Sequence, residues 1–103
     1  MADAATIRRA KQLLHQEVGE ALSANIDVDF QLADLLLNPG IQMAQAILIE
    51  SGDWAAQVTL EKNYWRRRFL RLALKLSSGA KATALQAVFD AVPIVTERDL
   101  GIF

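Results

Sequence analysis

Cysteine is absent from these 103 residues. Its absence excludes a disulfide scaffold, a thiolate nucleophile and a thiolate-bound metal together, and it fits a reducing, cytoplasmic setting. Long apolar runs are missing too. Although 52% of the residues are hydrophobic, no stretch approaches the roughly 20 apolar residues that span a bilayer. Arg8, Arg9 and Lys11 are followed by no apolar segment with a small-residue cleavage site, so neither a secretory leader nor a membrane partner is expected. Nor is there a charge excess of one sign: the net charge is −1, which gives the whole chain no general attraction for nucleic acid or lipid. The five glycines, at 19, 40, 52, 79 and 101, are scattered, and they compose neither a Walker loop nor a dinucleotide fingerprint. No nucleophile elbow is present, and no cofactor is implied.

What is abundant is alanine and leucine, both of which favour helix. Residues 1–103 read as a single domain, without internal repeat, linker or low-complexity tract. Ile7, Ala10, Leu14, Val18, Ala21 and Leu22 recur at helical spacing, which predicts an amphipathic helix over Asp3 to Ala24 with Asp3 or Thr6 as its cap. Gly19 inside it costs roughly 1 kcal/mol relative to alanine. Asp27 or Asp29 caps a short second helix ending near Leu37. Asn38-Pro39-Gly40 opens a third, running to Ser51 and closed by Gly52, with proline at the first turn, where its missing N–H is harmless. Leu85, Val88, Phe89 and Val92 form a last stripe ending at Pro93, and Thr96 with Asp99 resembles a capping box.

The fold class turns on residues 41–77, and above all on the stretch from Asp53 to Ser77. Read as one long helix with Asp53 as its cap, it gathers Trp54, Val58, Trp65, Phe69, Leu72 and Leu76 within an arc of roughly 60°. Read as strands, Trp54, Ala56, Val58 and Leu60 alternate with polar or small neighbours, and Leu70, Leu72, Leu74 and Leu76 do the same. The helical reading collects both tryptophans on one face, and Leu, Ala, Lys and Arg are poor strand formers. An all-α domain of four or five helices with a long central helix is therefore expected. The alternative is α+β: a helix, a three-stranded antiparallel meander and a helix. In the helical reading Leu60, Leu70 and Leu74 make a second apolar stripe, which calls for a central helix covered on both sides or for a dimer seam. Leu100, Ile102 and Phe103 are expected to dock onto the chain's own core.

Candidate chemistry is sparse. His15 is the only histidine, flanks the first apolar stripe and has no recognisable nucleophile near it in sequence, so it reads as a boundary residue. An acid–base site assembled from distant segments is not visible to spacing. Asn25, Asp27 and Asp29 alternate like the first ligands of a calcium loop. Phe30 then stands where that loop needs glycine, and Leu36 where it needs glutamate, so no metal is expected. Glu17 and Glu20 read as solvated helix surface.

The one concentrated feature is Tyr64-Trp65-Arg66-Arg67-Arg68, followed by Arg71 and Lys75. Arg67, Arg71 and Lys75 share a face whether the segment is helix or strand, and in a helix Arg68 joins them while Arg66 points away. Such a strip pairs with the chain's own acids, with the acidic surface of a partner through charge-assisted hydrogen bonds, or with phosphates, Tyr64 or Trp65 then stacking on bases. A helix-turn-helix with Gly52 as its turn fails, because Ser51, Asp53 and Glu61 fall where that motif needs apolar residues. The sequence thus predicts a non-enzymatic interaction module, an adaptor, inhibitor or assembly subunit. It would bind another protein or itself through Arg67, Arg68, Arg71 and Lys75. A small nucleic-acid-binding regulator using the same strip is the alternative.

Overall fold

A computed structural model describes residues 2–24 and 30–103 of the chain. Five α-helices follow one another: α1 (Ala4–Ala24), α2 (Pro39–Glu50), α3 (Trp54–Lys75), α4 (Gly79–Ala91) and α5 (Glu97–Leu100), with a 3₁₀ turn over Leu32–Leu35 between α1 and α2. The fold is all-α, and no strand occurs among the described residues, so the meander is set aside. The short second helix is this 3₁₀ turn. Asp27 and Asp29, expected to cap it, lie outside the described residues, as does Asn25.

Local chemistry sets most helix ends. The Asp3 carboxylate accepts the Thr6 N–H at 2.8 Å. Asn38 Oδ1 accepts the N–H groups of Gly40 and Ile41 at 2.8 and 3.3 Å, with Pro39 at the first position of α2. Thr96 and Asp99 form the reciprocal capping box that their spacing predicts. Asp53 departs from expectation. It occupies the cap position of α3 but has helical dihedrals, φ −95° and ψ −6°, rather than the extended ones of a capping residue, and makes no side-chain cap bond; its carboxylate accepts the Ser51 hydroxyl at 2.9 Å. The chain turns from α2 into α3 at Gly52, whose φ of 81° is open to glycine at no steric cost.

α2 folds back along α1. Ala10, Leu14, Val18 and Leu22 of α1, Ile41, Ala44 and Leu48 of α2, and Phe30, Leu32 and Phe69 make one core. α3 runs beside α1 in the same direction: His15 meets Glu61, and one turn further Gly19 meets Trp65. Twenty-two residues make α3 roughly 33 Å long. It outruns its neighbour, so the stripe that begins at Trp54 leaves the core before it ends. Leu72 is 45% exposed and Leu76 89% exposed. α4 covers the other side of α3, where Leu70 is fully buried, so the second apolar stripe has cover from within the chain while the first loses it at its C-terminal end. No residue of α4 itself is fully buried. Of the C-terminal hydrophobes, Leu100 is buried in the core and Gln57 donates to its carbonyl at 2.8 Å. Gln12 holds the carbonyl of Ile102 at 2.7 Å, while Phe103 stays exposed. None of the described helices is long and apolar enough to cross a membrane.

Candidate functional site

The α3–α4 hairpin concentrates positive charge. Between Tyr64 and Ala91 the sequence carries six cations, Arg66, Arg67, Arg68, Arg71, Lys75 and Lys81, against one carboxylate, Asp90, while the rest of the chain holds five cations and eleven carboxylates. The four strip residues do not behave alike. Arg67 turns inward: its Nη1 donates to the carbonyls of Phe89 and Val92, both at 3.1 Å, and its guanidinium lies 4.0 Å from the centre of the Phe89 ring. The last carbonyls of a helix have no partner within it, and a cation at that end also meets the favourable pole of the helix dipole. Arg67 therefore fastens α4 to α3. Arg68, Arg71 and Lys75 remain exposed. Arg68 reaches the Tyr64 hydroxyl at 3.5 Å and leans over the Trp65 ring, and Arg71 leans over Phe89. Among the described residues, no carboxylate pairs with any of these three exposed cations. Next to them the exposed Leu72 and Leu76 of α3 supply apolar area.

A second constellation lies where α1 meets α3. Glu61 is fully buried. Its Oε2 accepts Trp65 Nε1 at 2.9 Å and lies 3.0 Å from His15 Nδ1. An ionised group out of water is tolerated only where such partners replace its hydration. The His15 side chain is 17% exposed; its ring stacks on Trp65 and meets Tyr64 edge-on, and Trp65 stacks in turn on Phe69. Gly19 makes this possible, because a Cβ there would stand 2.6 Å from the Trp65 ring. His15, Gly19, Trp65, Phe69 and Leu72 floor an open groove rimmed by Gln16, Glu20, Ser23 and Arg68.

Chemically, a carboxylate on Nδ1 orients an imidazole so that Nε2 is its free nitrogen, an arrangement that general bases share with purely structural histidines. The hydroxyl beside this groove, Ser23, donates to the Gly19 carbonyl at 2.7 Å, so no nucleophile is poised there. Sequence reasoning placed His15 at the edge of the apolar stripe of α1, which is where it lies, part-buried, and missed its partner. The signal was available: Glu61 falls between Val58 and Trp65 on the apolar stripe of α3, and a carboxylate on a core face needs a partner from another element. Among the described residues, no group of three or more acidic or histidine side chains is placed to hold a metal. Comparison with models of protein families, with curated proteins and with solved structures finds no match to this chain.

Proposed function

We propose that this chain is a non-enzymatic interaction module that docks on an acidic protein surface through the exposed side of the α3–α4 hairpin. One observation carries the reading. Arg68, Arg71 and Lys75 stand exposed beside Leu72 and Leu76, in a stretch from Tyr64 to Ala91 whose charges are nearly all positive. Arginine forks supply directional bonds to carboxylates, and the leucines supply the area whose removal from water drives association. Arg67, engaged with α4, contributes by holding the hairpin together. Docking of a second copy hairpin to hairpin is disfavoured, because it would set like charges against each other.

The nucleic-acid alternative has less support, because Trp65, one of its two stacking candidates, already stacks on His15 and Phe69 of its own chain. Affinity capture with wild type and with Arg68→Glu plus Arg71→Glu tests the proposal. Partners with acidic surfaces are expected on the wild type and at least ten-fold less on the double variant, with both proteins equally folded by circular dichroism. Equal recovery on both overturns it. Oligonucleotide binding at low salt that falls steeply as salt is raised would transfer the hairpin to nucleic-acid recognition.

A further inference from the structure

The exposed hairpin also contains a concavity. Tyr64, Arg67, Arg68 and Arg71 of α3 line a pocket of about 290 Å³ with Ile94 and Val95, from the extended segment that follows α4. One of its three guanidinia is positioned in advance. Arg67 is fixed by the carbonyls of Phe89 and Val92 through one nitrogen, which leaves its other N–H groups to face elsewhere. Arg68 bonds the Tyr64 hydroxyl, and Arg71 lies over the Phe89 ring. Among the described residues, none of the three has a carboxylate partner.

We infer that this pocket receives a phosphoryl group carried by a side chain of the docking partner. The inference rests on the docking reading above and deepens it. The stoichiometry of charge selects the ligand. A carboxylate carries one charge and two oxygens, which a single guanidinium fork satisfies. Three guanidinium charges, with the forks of Arg68 and Arg71 and the remaining N–H groups of Arg67, match a group with close to two charges and three strong acceptor oxygens, which is a phosphate ester near neutral pH. Ile94 and Val95 wall one side of the pocket. Because Arg67 is already held by contacts within the chain, less of its side-chain freedom is lost when the ligand arrives.

The test uses the full chain with labelled arginine side chains and methyl groups, followed by nuclear magnetic resonance. It is titrated with inorganic phosphate against sodium chloride of equal ionic strength. It is titrated also with two glutamate-flanked peptides, one with phosphoserine at its centre and one with serine. Phosphate is expected to shift the Nε–H signals of Arg67, Arg68 and Arg71 and the methyls of Ile94 and Val95 saturably, which chloride does not. The phosphopeptide is expected to bind at least ten-fold more tightly than the serine peptide. Arg71→Gln is expected to weaken both peptides, and the phosphopeptide by the larger factor, so that most of that difference is lost. Equal affinity for the two peptides overturns the phosphoryl site and leaves the docking surface standing. Binding of inorganic phosphate with neither peptide bound overturns the docking reading and assigns the pocket to small phosphate compounds. No saturable shift with any of the three overturns both.

Discussion

Glu61 shows how a single residue can be conspicuous in three dimensions and plain in one. Forty-six residues separate it from His15, so no local spacing relates them, and only its place on the apolar stripe betrays it. The network sets a specific energetic expectation. His15→Ala leaves a buried carboxylate with Trp65 as its remaining partner and should cost about 3 kcal/mol, read from denaturant unfolding. Replacing both members, His15→Leu with Glu61→Met, removes the stranded charge and should recover most of that loss, since apolar groups of similar volume often replace buried pairs at little cost. A double variant no more stable than His15→Ala would refute this account. Gly19 supports the same network sterically. Helix propensity alone predicts that Gly19→Ala gains about 1 kcal/mol. The 2.6 Å approach to Trp65 reverses the sign, and a net loss of about 1–3 kcal/mol is expected from overpacking. In a Trp65→Leu background the alanine should become neutral or favourable, which a four-member cycle of unfolding curves measures.

Among the elements, the helices were legible because their caps and periods are local. Asn38-Pro39 and the Thr96–Asp99 box were both read from residue spacing and stand as read. The exposure of Leu72 and Leu76 was not legible, since the period that places them on one face with Trp65 and Phe69 carries no information about where α1 stops. α4 was legible as a helix. Its attachment through Arg67, a residue read as partner-facing, was not, because backbone carbonyls as acceptors leave no trace in residue types. Arg67→Ala should therefore loosen α4, with faster amide exchange over residues 79–92 and about 1–2 kcal/mol of lost stability. Arg68→Ala should leave both unchanged, and identical exchange in the two variants would show that Arg67 does not hold α4. α5 should respond to acid. The Thr96 backbone N–H, and then its hydroxyl, hold the Asp99 carboxyl below its ordinary value. A depressed carboxylate stabilises the folded state fully above its unfolded pKa and loses that effect as pH falls through the folded one. Fraying of residues 96–101 is thus expected below about pH 4, seen as loss of Leu100 amide protection. Asp99→Asn should show the same fraying at neutral pH.

For the molecule as a whole, the class of fold was readable because leucine, alanine and the long stripe agreed with one another. The shape was not readable: the chain measures 52 × 25 × 18 Å, elongated because α4 leans mainly on α3 rather than closing over the core. This asymmetry bears on charge. A net charge of −1 conceals a stretch from Tyr64 to Ala91 with six cations and one carboxylate, while the rest of the chain has five cations and eleven carboxylates. Near neutral pH and low ionic strength, the protein should be retained by both cation- and anion-exchange resins, each gripping a different region. Retention by neither, or by only one, would mean that the two regions are not electrically distinct at this scale. In solution such a molecule behaves as a compass needle. An acidic surface turns it while the two are still about a Debye length apart, roughly 10 Å in 0.1 M salt, so that it arrives hairpin first.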